Sequence, residues 1–394
     1  MSNILFVIGK YPNYGGTEKV TTVLANEFVK KGHGVSIVSF EQPHLELKRE
    51  MDASIELFKL NYPVHNKKNV ATLSAILSNK EIDIIINQWC LPFYVTRLIN
   101  KARKDKNCIL ISALHGLPHQ NKRLLNVANK IKSSKFLVQR MAYTLVHKTL
   151  QFLTGVNLKY VYHKSDQYVV LSESFIAIFE ELSGIREKSK LRAISNPITI
   201  ELPTNFEQVK DSKEKMILYV GRMDYANKRV HRVIEAWETI CSSHPDWSLV
   251  LVGDGPEKVD LIAYVESHGI PNVVFEGFKE EPPIEFYKKA SILLLTSDLE
   301  GFGLVVIEGM IYGVVPIVYG SYSAIYDIIS RETSGFITPT PYKNANTVEH
   351  MEHLILNPDV LATMSTGAHE EAQRFALPVI VQQWESMFQS LLEH

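Results

Sequence analysis

Cysteine is scarce in this chain of 394 residues: Cys90, Cys108 and Cys241 stand far apart, with no CxxC pair and no Cys/His cluster. That excludes a disulfide framework and a zinc site, and it fits a reducing compartment. Long apolar runs are also missing. None reaches the ~18 residues that would span a bilayer. The opening segment MSNILFVIGK has no basic stretch ahead of its apolar run, so it is expected to be a strand and not a signal peptide. A GxGxxG dinucleotide fingerprint is absent too. Overall charge is nearly balanced, at −1. Locally, one sign vanishes: from Lys106 to Ser165 there is no Asp or Glu, while Lys106, Lys122, Arg123, Lys130, Lys132, Lys135, Arg140, Lys148, Lys159 and Lys164 are all cationic. A stretch of that kind points to an anionic partner surface.

What is present is an alternation of short apolar runs and helical spacings. NILFVI reads as a strand, KYPNYGGTEK as a loop, and TEKVTTVLANEFVKKG as a helix with Val20, Val23, Leu24 and Phe28 on one face and Gly32 as its stop. Strands follow near 36–40, 55–60, 82–87, 108–113, 167–171 and 191–194. Such a βαβ series predicts a parallel sheet. Gly15 and Gly16 allow the backbone to abut a phosphate or sugar, or merely serve a loop. His115 follows a strand in LHGLP, where a His can donate to a sugar hydroxyl, receive a proton, or bond to backbone. Residues 120–163 break the alternation with one or two helices that are basic and apolar together. Phe136, Leu137, Met141, Leu145, Phe152 and Leu153 form the apolar face. This reads as a surface for anionic headgroups in preference to an insertion with solvated lysines or a nucleic-acid site.

A second α/β series starts at KMILYVGRM. Its first strand ends at Gly221, Arg222 follows at the carboxyl edge, and Lys228 lies in the next loop. Together they can clamp a diphosphate, although loop cations are ordinary. Gly277, in VVFEGF, closes a strand whose exit can lie against a nucleobase. ILLLTSDLEGFGLVVIEGMIYGVVPIV then reads strand, loop, helix, strand. Its loop emerges at the carboxyl end of a strand, the edge where open α/β sheets bind ligands. The amides around Gly303, Leu304 and Val305 would be free donors at a helix start. Glu300 can accept from vicinal hydroxyls. Glu308 either does the same or simply favours the helix dipole.

The order GGTEK, His115 in LHG, LSES, SNPI, YVGR…K, VGDGP, FEGF and EGFGLVVIE resembles the retaining glycosyltransferases of family 4, over nearly the whole chain and most specifically over 216–318. The resemblance implies a GT-B fold, α/β, with two Rossmann-like domains facing a central cleft. The expected division is 1–198 for an acceptor-side domain, 199–215 for a linker, 216–374 for a donor-nucleotide domain, and 375–394 for a helix crossing back to the first. It implies that Arg222 and Lys228 bind the donor diphosphate, Glu300 contacts the donor sugar, and Glu308 holds the ribose. Backbone at Phe302, Gly303 and Leu304 would meet sugar and phosphate. Gly16 would lie by the phosphates and His115 near sugar and acceptor. It also implies front-face transfer from a nucleotide-diphosphate sugar, a UDP-sugar being favoured, to a glycan or lipid-linked acceptor of cell-surface polysaccharide synthesis. The expected location is cytoplasmic, peripheral at the inner membrane face. No cofactor or metal is implied, in keeping with the lack of an Asp-x-Asp motif. Two departures stand out. Arg229 replaces the glycine that commonly follows the lysine, and the later glycine-plus-acid loop is blurred into YGSYSAIYDII. A sugar-nucleotide epimerase and a non-catalytic membrane-associated scaffold are the alternatives. Phosphorylase chemistry would need a pyridoxal lysine, and none is distinct.

Overall fold

The computed structural model describes residues 1–119 and 122–393, with the side chains of Lys122 and Lys132 outside the described ones. The chain forms two compact units, Met1–Pro197 with Leu377–His394, and Ile198–Ala376. In the first, strands β1 (Asn3–Lys10), β2 (Gly34–Glu41), β3 (Glu56–Lys59), β4 (Ile84–Asn87), β5 (Ile109–Leu114), β6 (Gln167–Val170) and β7 (Leu191–Ala193) make one parallel sheet. Its order is β3-β2-β1-β4-β5-β6-β7. The order reverses between β1 and β4, so the loops leaving those two strands diverge and open a crevice at the carboxyl edge. Ile4 to Val7 of β1 are fully buried, because helices cover both faces of a parallel sheet and leave its central strand no polar side.

The helix Gly16–Lys30 buries Val20, Leu24 and Phe28, as its spacing predicts, while Val23, expected on the same face, is only half-buried. It ends at Gly32, whose φ of 88° a side chain would oppose. The final helix, Leu377–Leu392, packs on this unit: Phe388 lies 5.4 Å from Phe28, and Glu385 reaches Lys31 and His33 at 3.5 Å.

The second unit carries β8 (Met216–Val220), β9 (Ser248–Val252), β10 (Val273–Gly277), β11 (Ile292–Leu295), β12 (Val315–Tyr319) and β13 (Phe336–Thr338), in the order β10-β9-β8-β11-β12-β13. Its switch point lies between β8 and β11. The polar stretch 199–215, expected as a linker, is instead part of this unit. Asn205 caps a short helix, Phe206–Asp211, with its side chain accepting from Gln208 N–H at 3.2 Å. Tyr312 O–H donates to Glu201 O at 2.7 Å, and Lys213 Nζ to Tyr287 O at 2.8 Å. Polar composition signals a linker only when its groups are left to water. Here they satisfy buried partners.

The departure at 120–163 is a pair of helices, Lys122–Ser133 and Leu137–Lys164. The carboxyl half of the second buries Leu158, Val161 and Tyr162. The stretch ahead of them does the opposite. Phe136, Leu137, Val138, Met141, Leu145 and Phe152 are between 65% and 78% exposed. No described helix is long and apolar enough to cross a membrane.

Candidate active site

In the second unit, the loops leaving β8, β11 and β12 converge on one edge. Lys228 Nζ meets Glu300 Oε1 at 2.5 Å, with only 24% and 11% of the two side chains exposed. The pair is held by the loops that carry it. Asp298 N–H donates to Asn227 O at 2.7 Å, tying the Glu300 loop to the Lys228 loop. The Asp298 carboxylate accepts from Arg229 Nε at 2.6 Å and from Arg232 Nη1 at 2.7 Å. Arg229 stands at φ 53°, in the left-handed region where a glycine would be unstrained. Its guanidinium lies 4.6 Å from the Tyr225 ring, and that of Arg232 lies 4.4 Å from the Tyr342 ring. The arginine at a position expected to be glycine is thus fastened by a carboxylate and an aromatic face.

Gly303 caps the helix Leu304–Ile311 at φ 93°. A Cβ there would fall 2.5 Å from the Tyr322 hydroxyl. That close approach brings a buried phenol to the helix start. Burial, and then the Glu300 carboxylate, hold the Tyr322 O–H well above its ordinary range, so it stays a donor. The hydroxyls of Tyr322, Ser297 and Ser323, and Asn227 Oδ1, are buried without a hydrogen-bond partner among the described residues. Buried polar atoms are normally satisfied, so these four, at the exits of β8, β11 and β12, are free to bond to water or to a ligand.

Glu308 is 8% exposed; it accepts from Thr199 Oγ1 at 2.5 Å and from Tyr287 O–H at 3.3 Å. Phe302 is 3% exposed and packs on Phe375, so only its backbone can face a ligand. Leu304 and Val305 are half-buried in the first helical turn. Arg222 has no ion pair with Glu300 among the described contacts. Its side chain is 69% exposed and its Nε is 3.9 Å from Asp224. Gly277 ends the edge strand β10, and its carbonyl accepts from Gly253 N–H at 2.8 Å.

In the first unit, Gly15 and Gly16 are exposed at the start of the helix Gly16–Lys30. A Cβ on Gly15 would fall 2.2 Å from Glu18 Oε2, because that carboxylate folds back over the helix start. Burial raises the Glu18 carboxyl, opposed by backbone and Asn13 hydrogen bonds. His115 follows β5 and bonds through Nε2 to Gln88 Oε1. Burial lowers its imidazole to about 4, against a weaker raising contact with Asn196, so it is neutral at pH 7. Asp298, Arg232 and Tyr322 were not singled out in the sequence. An acid two residues before Glu300, in the same strand exit, was the available signal.

Two family models match the chain side by side: "Glycosyltransferase Family 4" over residues 14–202 and "Glycosyl transferases group 1" over 203–371. The chain is a GT-B glycosyltransferase of this group. It is 24% identical to an uncharacterised glycosyltransferase of Haemophilus influenzae, over 98% of this chain and 100% of that one. A GalNAc-alpha-(1->4)-GalNAc-alpha-(1->3)-diNAcBac-PP-undecaprenol alpha-1,4-N-acetyl-D-galactosaminyltransferase of Campylobacter jejuni is 25% identical, over 98% and 97%. Among solved structures, that of HepE from Anabaena, in complex with UDP and glucose, superposes with a TM-score of 0.72 at 19% identity, covering 99% of this glycosyltransferase and all of that chain. The fold likeness extends across both units, and the enzyme's two parallel sheets are those of GT-B.

Proposed function

We propose that this glycosyltransferase moves a sugar, with retention of configuration and without a metal ion, from a UDP-sugar held by the second unit to a glycan or lipid-linked acceptor held by the first. The observation that carries the donor assignment is the row of orphaned buried polar atoms beside the Lys228–Glu300 pair. Lys228, Arg222 and the Leu304 and Val305 amides take the diphosphate. Glu300 accepts from hydroxyls of the transferred sugar and Tyr322 donates to it. Glu308 receives the ribose while Thr199 and Tyr287 hold it. The Gly277 exit receives the base, and Gly15, Gly16 and neutral His115 serve the first unit's side. As the C1–O bond to the diphosphate breaks, the acceptor oxygen bonds to C1, and its proton passes to the leaving phosphate oxygen. Cationic and amide donors stabilise the charge that builds there. The UDP choice is supported by the UDP found with HepE, and retention by the motif set. A thermal-shift panel of UDP, GDP and ADP sugars tests the donor, with UDP-sugars expected to raise Tm most. Interconversion of the donor sugar without any acceptor would identify an epimerase instead, and no shift with any donor would indicate a scaffold.

The acid-free helix pair supplies the location. Side chains exposed by two thirds or more and rimmed by Lys130, Lys135 and Arg140 are costly in water, at roughly 2 kcal/mol for each that could be buried. Anionic headgroups complement the cations while the apolar face enters the acyl boundary. The enzyme therefore works as a peripheral protein of the inner membrane face, near lipid-linked acceptors such as the undecaprenyl one in the Campylobacter relative's name. Affinity for phosphatidylglycerol vesicles, followed by co-sedimentation, should fall on the order of a hundredfold when Lys130, Lys135 and Arg140 are neutralised, each charge being worth about 1 kcal/mol. Undiminished binding by that variant, or none by the wild type, removes the assignment.

A further inference from the structure

The first unit holds a cavity of about 490 Å³ at the carboxyl edge of its sheet, lined from β1, β2, the helix start at Thr17 and Glu18, and the exits of β4 and β5. It sits at the reversal of strand order, where a crevice is enforced by topology. Trp89 forms one wall. The indole rests on Gly9, where a Cβ would fall 3.0 Å from the ring, and its edge meets Phe40 at a centroid distance of 5.7 Å. Its backbone N–H is fixed by Asn87 Oδ1 at 3.2 Å. Gln88, 5% exposed, lines the cavity with its Nε2 lacking any hydrogen-bond partner among the described residues.

The charges around this cavity are unequal. Lys10 and Glu41 neutralise each other at 2.8 Å. His115 carries no charge at pH 7. Among the described residues Glu18 remains as the lining carboxylate without a side-chain cation, held instead by a hydrogen bond from Asn13. Covalent chemistry has no foothold. The Cys90 thiol donates to Ala113 O at 3.3 Å and is pushed by burial up to about 12. A fixed aromatic wall, an unpartnered amide and a lone carboxylate form a set that grips an uncharged, hydroxyl-rich ring and repels an anionic one.

We propose that this cavity selects one uncharged pyranose ring of the acceptor, seated on Trp89 and hydrogen-bonded by Glu18 and Gln88, and rejects rings bearing a carboxylate or phosphate. The assignment rests on the reading of the first unit as the acceptor side. Saturation-transfer NMR on the full chain, with methyl glucoside, methyl N-acetylglucosaminide and methyl glucuronide as probes, tests it. The two neutral glycosides should bind at least about tenfold more tightly than the glucuronide. Glu18→Gln should narrow that gap several-fold. Trp89→Ala should lose the neutral glycosides about tenfold, and Trp89→Phe should restore them. Equal or tighter binding of the glucuronide by wild type, no glycoside binding at all, or unchanged binding by Trp89→Ala would overturn the proposal. UDP binding, followed by thermal shift, reports separately on the donor assignment. Its loss in Lys228→Ala with glycoside binding intact leaves the two claims independent.

Discussion

Lys228→Ala is expected to lower kcat/KM for the donor by on the order of 10²–10³-fold and to weaken UDP binding as well. The reason goes beyond a missing contact. Lys228 neutralises Glu300 at 2.5 Å. Without the ammonium, an uncompensated carboxylate, 11% exposed, faces the incoming diphosphate, and like charges at that range repel. Glu300→Ala should behave differently. It releases Lys228 for the diphosphate, so UDP affinity should hold or rise, while kcat falls on the order of 10²-fold because the sugar loses its acceptor. The double variant should bind UDP more tightly than Lys228→Ala alone, since the repelling group is gone. Such non-additivity is expected of residues in direct contact. Calorimetry with UDP and steady-state kinetics separate these outcomes. Wild-type turnover in Lys228→Ala, or an equal loss of UDP affinity in both single variants, would end the diphosphate assignment.

Lys228 and Glu300 were each legible in the sequence because the motif spacing is specific, but their ion pair was not, since the sequence set Lys228 beside Arg222. The parallel sheets and the helix face at Val20, Leu24 and Phe28 were legible for a similar reason: period and chain order carry them. Three further things were not. Glu18 folding back over Gly15 depends on a loop path that no periodicity encodes. Thr199 bonding to Glu308 joins residues far apart in the chain, so a polar stretch read as linker became a support for a buried acid. Tyr322 sits in a loop whose motif is blurred, and only the close approach at Gly303 shows that its hydroxyl reaches the same edge. The exposure of the apolar helix face was expected from the missing acids around it. Helical spacing alone does not give it, because apolar residues at that spacing are more often buried.

Asp298→Ala should destabilise the second unit by on the order of 3 kcal/mol, lowering its Tm by roughly 10 °C. The carboxylate serves two guanidiniums at once, at 2.6 and 2.7 Å, with all three side chains at or below 20% exposure. Deleting it leaves two cations in a partly dehydrated site, held by the Thr296 carbonyl, which accepts from Arg232 Nη1 at 2.9 Å, and by the faces of Tyr225, Tyr319 and Tyr342. The other side of the same contact predicts the opposite. Arg229→Gly loses one ion pair but relieves the strain at φ 53°, worth about 1 kcal/mol, and Asp298 keeps Arg232. Its net cost should stay within about 1 kcal/mol. The two variants break one common bond, so a simple count of ion pairs predicts nearly equal losses. What separates them is which charge is left without a partner. Thermal denaturation of both, with Asp298→Asn as a control that keeps one acceptor, decides the matter. Equal losses for Asp298→Ala and Arg229→Gly would mean that this network does not set the stability of the loops carrying Lys228 and Glu300. A large gap, with Asp298→Asn between the two, would show that Asp298 fixes the Arg229 turn in a conformation that a glycine would adopt without help.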